Sequence, residues 1–421
     1  MADSSTLLFV SPRFLFPVDS GGKIRTTQIL RGLKGGAFRI KLASPATPEQ
    51  INSHRGAIET VCDEFIGWPA AGPDAMRGLS RLRHLFSDWP LPVRSDWSGP
   101  AAQAVAQLLA AGPSVAVFDF VHSAVLTPAF LPCPSVLFTH NVEAEIFQRH
   151  VGVARNPLVR WIWQSQARKM LAFEALTLQR FDVVVAVSER DAQAFAQLYG
   201  VRNLAVIPTG VDLEYFSFRA PDTDDNVVFC GSMDWLANQE AMNFFLDEVW
   251  DHVVADVPTA RMTVIGRAPP QALVQRARRR GARWTFTGFV EDVRPHLEGA
   301  TVSVIPMRVA GGTRLKVYEA MAAGAPVVST GIGVEGLPVR NGVHFLQADE
   351  PAAFAGAVVS LLKDRALRSL IAAEARRYVE SRFSYLAAAQ AFQSACLRAV
   401  DLWHEGGSRA PRSGRPYLPS R

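Results

Sequence analysis

Short apolar runs recur along this chain, and between them lie stretches in which apolar residues return at helical spacing. TLLFVS (Thr6 to Ser11) reads as a buried strand, and the Pro, Asp and Gly residues after it predict a loop that opens a helix at about Arg25. SVAVFDF (Ser114 to Phe120), SVLFTH (Ser135 to His140), FDVVVAVS (Phe181 to Ser188) and LAVIP (Leu204 to Pro208) follow, alternating with helix-like segments. Such alternation is the pattern of a parallel sheet with helical crossovers. NPLVRWIWQSQARKMLAFEALTLQR (Asn156 to Arg180) starts with an Asn cap and a Pro at the first helical position and predicts one long helix. TGVDLEYFSFRAPDTDDN (Thr209 to Asn226) breaks all periodicity with Gly, Pro and acidic residues. The rhythm restarts with VVFCGS (Val227 to Ser232), RMTVIG (Arg261 to Gly266), RWTFTGFV (Arg283 to Val290), TVSVIP (Thr301 to Pro306) and APVVST (Ala325 to Thr330), a spacing that predicts further βα units.

The expected fold class is α/β: two Rossmann-like doubly wound domains over 1–208 and 227–384, joined by a linker at 209–226. Beyond them, 385–404 reads as a helix, and the tail 405–421, rich in Gly, Pro, Ser and Arg, reads as disordered. The length of 421 residues fits two cores of about 200 residues each. With 48% hydrophobic and 20% charged residues the chain is globular. The net charge of +5 leaves the partner open until the cations are placed, and the arginines are dispersed with no nucleic-acid recognition motif. Cys62, Cys133, Cys230 and Cys396 form no CxxC pair, which argues against a zinc site or a disulfide framework and fits a reducing cytosol. A basic start followed by a long apolar stretch is lacking at the N-terminus, and no apolar run reaches the roughly 18 residues of a membrane span. A chain neither secreted by a standard signal nor integral to the membrane is expected.

In open α/β sheets, ligands sit beyond the carboxyl ends of the strands. After the strand TVSVIP comes MRVAGGTRLK, leading directly into the helix KVYEAMAAG. Gly311 and Gly312 let a ligand approach the backbone, the amides around Thr313 and Leu315 at the helix start attract an anion, and Arg314 and Lys316 add positive charge. The loop is suited to a diphosphate. Glu319, just inside the helix, either accepts hydrogen bonds from a ribose diol or stabilises the helix N-terminus.

With its neighbours this stretch resembles the donor-binding region of GT-B glycosyltransferases, specifically glycosyltransferase family 4, whose signature is a Glu, seven residues, a second Glu and AMAxGxPVV. Glu319 to Val328 match the second half, while the first Glu falls at Gly311, so the chain resembles a GGTRLKxxEAMA subgroup without that acid. VAVSERD (Val185 to Asp191), VIPTGVDLEYF (Val206 to Phe216), VVFCGSMDWLANQEAMNFF (Val227 to Phe245), FTGFVEDVRPHL (Phe286 to Leu297) and IGVEGL (Ile332 to Leu337) resemble the family in the expected order. The resemblance implies two domains facing a cleft, with the helix at 385–404 crossing back to the first. It also implies that Gly288, Phe289 and Val290 lie against the nucleobase and that Gly231 and Ser232 face the donor phosphates. The cations usual in that last loop are absent from GSMDWLANQE, which leaves their role to Arg314 and Lys316.

The first domain is expected to bind the acceptor. FPVDSGGKIRTTQILRGL, with Gly21, Gly22, Lys23 and Arg25, resembles the loop by which the family brings backbone amides to the reaction centre, although a GG pair also makes an ordinary βα turn. FTHNVEAEIF places His140 and Glu143 beyond a strand end, where the family often carries a His in the acceptor cleft. Asp222-Thr223-Asp224 looks like a DxD metal motif but lies in the linker without a preceding strand, so no metal site is expected. AMRGLSRLRHLF carries Met76, Leu79, Leu82 and Phe86 at helical spacing with Arg77, Arg81 and His84 on other faces; it fits an anionic membrane surface or packing on its own domain.

The implied reaction is retaining transfer of a sugar from a nucleotide-sugar to a glycan, lipid-linked or small-molecule hydroxyl, without a cofactor or metal, by a cytoplasmic protein peripheral at the inner face of the membrane. Arg314, Lys316 and His140 are the expected catalytic groups. A nucleotide-sugar epimerase and a non-catalytic nucleotide- or glycan-binding subunit are the rival readings.

Overall fold

The computed structural model describes residues 5–69, 87–154, 156–220, 224–298, 300–309 and 315–405. These form two compact units. One contains the described residues up to Pro208 together with those from Tyr385 onward, and the other the described residues between Thr209 and Ser384. The segment Met76 to Phe86 and the residues beyond Glu405 lie outside the described residues, as do Asp222 and Thr223 of the DxD match. Asp224 pairs with Arg261 at 3.2 Å.

The first unit is built on seven parallel strands: β1 (Thr6–Val10), β2 (Arg39–Pro45), β3 (Glu64–Trp68), β4 (Val115–Asp119), β5 (Ser135–Phe138), β6 (Val183–Ala186) and β7 (Leu204–Val206). Their order is β3-β2-β1-β4-β5-β6-β7, so the chain reverses its lateral direction after β3 and a crevice opens where β1 meets β4. Alternation of side chains divides the core between the sheet's two faces. Leu7 and Phe9 of β1 join Val117, Val136 and Phe138 in one apolar layer, while Leu8 and Val10 join Phe118, Met170 and Phe173 in the other. The first layer is covered by α1 (Gly21–Leu33) and by the C-terminal helix Tyr385–Glu405, whose Phe392 meets Phe138 edge to face at 4.8 Å. On the second layer lie α2 (Leu91–Asp96), α3 (Glu143–Val153) and α4 (Pro157–Leu178). Asn156 caps α4 by accepting from the Leu158 and Val159 amides, with Pro157 behind it.

One expectation shifts, and two strands are added. The helix placed at about Arg25 begins at Gly21, because Ser20 is already extended and releases the chain into the helix four residues earlier. Gly21, Gly22, Lys23 and Arg25 therefore sit on the first turns of α1 and not in a loop. The strands β2 and β3 were not legible as apolar runs, since Arg39, Lys41 and Glu64 interrupt them; in the sheet Lys41 and Glu64 are neighbours and pair at 3.2 Å.

The second unit repeats the plan with six parallel strands: β8 (Asn226–Cys230), β9 (Arg261–Ile265), β10 (Trp284–Gly288), β11 (Val302–Ile305), β12 (Val327–Ser329) and β13 (Leu346–Gln347), ordered β10-β9-β8-β11-β12-β13. Its switch point lies between β8 and β11. Each of these two strands leads into a helix: α5 (Leu236–Phe244) comes after β8, and α6 (Leu315–Ala323) after β11. No helix among the described residues is long and apolar enough to cross a membrane.

Candidate active site

In the second unit, polar groups converge at the carboxyl end of β8 and the start of α6. Lys316, in the first turn of α6, donates from Nζ to Asn238 Oδ1 at 2.7 Å, and Asn238 Nδ2 donates to the Ser232 carbonyl at 2.7 Å. The ammonium also lies 4.4 Å from the centroid of the Phe229 ring, so a cation–π contact supports it from below. Gly231 is required beside this pair: a Cβ there would stand 2.8 Å from both Asn238 Nδ2 and Lys316 Nζ. Gly266, at the end of β9, is just as constrained, since its Cβ would come within 2.0 Å of the Gly231 carbonyl oxygen. The β8 loop is thus fixed from two sides, with a cation at its edge.

Glu319 lies three residues along α6 from Lys316 and is buried, and burial pushes its carboxyl up to about 7 while Lys316 pulls it back. It can hold a proton or a charge near neutrality. Cys230 beside it is an inert thiol, pushed up to about 12 by burial and by Glu319. At the end of β10, Gly288 adopts φ 71 and its carbonyl accepts from the Gly266 amide at 3.2 Å. Phe289 follows and is 55% exposed, and Val290 is half-buried. Leu315 is buried in the core, so only its backbone can take part in a ligand site. Gly311, Gly312, Thr313 and Arg314 lie outside the described residues.

In the first unit, Asp119 closes β4 as a fully buried carboxylate that ties four segments together. It accepts from Ser11 Oγ at 3.1 Å, from Thr26 Oγ1 of α1 at 3.1 and 3.2 Å, and from His140 Nε2 at 2.7 Å. His140, just beyond β5, stacks on Phe120 with ring centroids 3.9 Å apart. Burial holds its pKa below the usual imidazole value against the pull of Asp119, and its Nδ1 makes no hydrogen bond. With Nε2–H donated to Asp119, Nδ1 is left as an acceptor. Arg25 has a different part from the one expected of it. Its guanidinium is fully buried, donates to the Thr139 carbonyl at 2.9 Å and the Ile207 carbonyl at 2.8 Å, and burial lowers its pKa to about 9. It stitches β5 to β7. Lys23 pairs with Asp19 at 3.1 Å, across the entry to α1.

Glu143 opens α3. Its amide and that of Ala144 donate to Glu174 of α4, at 2.8 and 3.1 Å, while Tyr199 Oη donates to the same carboxyl at 2.6 Å. Glu174 thereby caps α3 from below, and burial raises its pKa to about 8. The Glu143 side chain accepts from Asn141 Nδ2 at 2.6 Å and points at His122 Nε2, 3.8 Å away. Asp96, ending α2, stands 3.7 Å from His122 Nδ1. These separations exceed hydrogen bonds, and His122 Nε2 and Asp96 Oδ2 have no hydrogen-bond partner. Burial moves the pKa of His122 down to about 4 and pushes both carboxyls up. Asp96, His122 and Glu143 thus form a nearly buried polar end with unmet capacity, suited to hydroxyl groups. Among the described residues no three His, Cys, Asp or Glu side chains gather as a metal site would need.

Sequence reasoning did not single out Asp119, Asp96, His122, Asn238 or Glu174. A signal existed for Asp119, a polar residue at the end of the apolar run VAVFD, and for Asn238, close behind a glycine-bearing strand end. Asp96, His122 and Glu174 gave none, because only the folded chain brings α2, α3 and α4 together.

Comparison with known proteins gives this arrangement a family. Residues 21–215 match the family model described as Glycosyltransferase Family 4, and residues 224–364 the one described as Glycosyl transferases group 1. The two matches follow one another along the chain, and its two sheets have the fold of the GT-B structures. A D-inositol 3-phosphate glycosyltransferase of Geodermatophilus obscurus is 30% identical over 292 residues, which cover 59% of this chain and 63% of that protein. The chain thus spans just under two thirds of that relative. A glycogen synthase of Mycobacterium tuberculosis is 26% identical over 380 residues, 86% of this chain and 80% of that protein. Among solved structures, a sucrose-phosphate synthase from Thermosynechococcus elongatus superposes with a TM-score of 0.71 at 17% identity, covering 92% of this chain and 98% of its own. HepE of Anabaena in complex with UDP and glucose superposes with a TM-score of 0.66 at 16% identity, covering 93% and 98%.

Proposed function

We propose that the chain transfers a sugar from a nucleotide-sugar to a hydroxyl acceptor, with retention of anomeric configuration and without a divalent metal. The observation that carries this reading is the Lys316 ammonium held by Asn238 and Phe229 at the edge of the glycine-bound β8 loop. A cation fixed in that way stabilises negative charge as it builds on a departing diphosphate, with no reorganisation at the moment of reaction. The sequence assigns Arg314 and the Gly311-Gly312-Thr313 stretch to the same diphosphate, Glu319 to the ribose diol and Phe289 to the base. On the first unit, the Nδ1 acceptor of His140 meets the reacting hydroxyl, while Asp96, His122 and Glu143 hold its neighbours. The acceptor approaches the same face of the sugar from which the diphosphate leaves. UDP and glucose in the HepE structure support the donor class, and the glycogen synthase relative supports a glycan acceptor. The protein works in the cytoplasm, on acceptors at the inner face of the membrane.

The test is a thermal-shift panel of nucleoside diphosphates, followed by turnover of the matching sugar donors in EDTA and in magnesium. A ligand that binds only the native state raises its apparent stability. Nucleoside diphosphate release that accelerates with acceptor and persists in EDTA is expected. Isomerisation of the donor sugar without acceptor indicates an epimerase, binding without turnover a non-catalytic subunit, and activity restored only by metal removes the metal-free step.

A further inference from the structure

The turn between β8 and α5, Ser232 to Trp235, is pinned by side chains from several directions. Met233 is fully buried, and its carbonyl accepts from Gln239 Nε2 at 2.7 Å. Asp234 accepts from Ser232 Oγ at 2.7 Å and pairs with Arg267 at 3.0 Å. The Ser232 carbonyl accepts from Asn238, the residue that holds Lys316. Yet this fixed turn leaves Trp235 38% exposed, with Leu236 beside it 49% exposed. The other two tryptophans of the second unit, Trp250 and Trp284, pack edge to face at 5.7 Å. Trp235 stacks on no ring and meets no cation, and its indole N–H has no hydrogen-bond partner among the described residues. A pinned turn that holds an unengaged tryptophan in water is preorganised for a contact.

We propose that Trp235 is a carbohydrate platform, on whose indole face a pyranose ring stacks beside the Lys316 site. The inference deepens the proposed function and rests on it for the presence of a sugar there. The extent of the surface selects this occupant over a protein: two exposed apolar side chains fall far short of the roughly 800 Å² that each partner of a stable complex buries. One face of a pyranose is a set of C–H bonds, and its rim is hydroxyl. The indole and Leu236 match the face; the partly exposed Asp234 carboxylate and Arg267 guanidinium match the rim, and the indole N–H is free to donate to a hydroxyl. Platform and ammonium share one framework, since the Trp235 carbonyl accepts from the Asn238 amide at 3.0 Å and Asn238 Oδ1 accepts from Lys316 at 2.7 Å. A transferred sugar and an acceptor glycan present the same kind of ring, and binding measurements separate them.

The full native chain, Trp235→Ala and Trp235→Phe are titrated calorimetrically with UDP, UDP-glucose, GDP, GDP-mannose, maltotriose and chitotriose. Trp235→Ala is expected to weaken at least one sugar-bearing ligand about tenfold, while UDP and GDP bind as before and the melting temperature is unchanged. Trp235→Phe, which keeps a ring, recovers most of that loss. A loss confined to UDP-glucose or GDP-mannose assigns the platform to the transferred sugar, and one confined to the trisaccharides assigns it to the acceptor. Equal loss for a nucleotide and its nucleotide-sugar, as stacking on the base gives, overturns the proposal. So does a Trp235→Ala protein that binds every ligand as the native chain does, or a Trp235→Phe protein as impaired as Trp235→Ala. Saccharide binding that depends on Trp235, in a chain that releases no nucleoside diphosphate from any donor, leaves the platform standing and removes the glycosyltransferase reading instead.

Discussion

Gly22 and Phe120 occupy one another's space: a Cβ on residue 22 would lie 2.5 Å from the tip of the Phe120 ring. That ring is held by an uncommon backbone, φ 61 and ψ 147, a region that glycine tolerates and phenylalanine rarely adopts. Its other face stacks on His140. Gly22→Ala, which in an ordinary helix adds stability, is therefore expected to destabilise the protein by about 1–3 kcal/mol and to lower turnover by displacing His140. Urea unfolding of the two proteins gives the sign directly, and a gain in stability would mean that the ring moves freely.

Lys316→Ala and Arg314→Ala are each expected to lower turnover about 100-fold or more, with little change in melting temperature. Asn238→Ala, which leaves the Lys316 ammonium without its amide partner, should lower turnover less than Lys316→Ala. Steady-state kinetics beside a melting curve for each variant decides this. Near-native turnover in folded Lys316→Ala and Arg314→Ala would place the diphosphate cradle elsewhere.

Glu319 gives the site a pH dependence. Its folded pKa of about 7 lies above the ordinary carboxyl value, so the folded protein holds the proton more tightly than the unfolded chain. Stability from this group is full at low pH and falls as pH rises through about 7. Nucleotide binding should run the opposite way, because an ionised carboxylate can accept from both hydroxyls of the ribose proposed to lie there. Diphosphate affinity is expected to rise between about pH 6 and 8 in the native protein and to stay flat in Glu319→Gln. Parallel profiles in the two proteins would detach Glu319 from the ribose.

His140→Ala is expected to lower turnover strongly while the thermal shift by nucleoside diphosphate is retained, since the residue lies on the first unit. Because burial keeps the ring neutral, the rate should show no loss near pH 6.5 from its protonation. A rate limb there that vanishes in His140→Gln would show that the imidazole titrates during turnover.

Strand runs such as VAVFD and VVFC were readable because parallel strands buried on both faces are continuously apolar. For β2 and β3 that signal failed, as their charges satisfy one another only across the sheet. Among the candidate residues, His140 and Glu143 in the first unit and Lys316 and Glu319 in the second could be picked out from their position after strands. Arg25 shows the limit of such reading: a cation beside a glycine pair looks like a ligand group, and only the fold reveals that carbonyl oxygens take its guanidinium. Asp96 and His122 are separated along the chain and owe their meeting to the packing of α2 against the segment after β4, which no local pattern encodes.

The C-terminal helix sets the timing of assembly during synthesis. Phe392, Ala395 and Cys396 belong to the same apolar layer as Phe9, Val117 and Phe138, yet the whole second unit is translated between them. At about 5–20 residues per second, the sheet of the first unit waits on the order of ten seconds or more with one side covered by α1 but not yet by the C-terminal helix. Gly32 is shaped for the late arrival, since a Cβ there would meet the Ala389 methyl at 2.5 Å. A nascent chain stalled in the second unit would thus expose a sticky β-surface, a natural target for chaperones and proteases, and the first unit becomes finished only after the second has emerged.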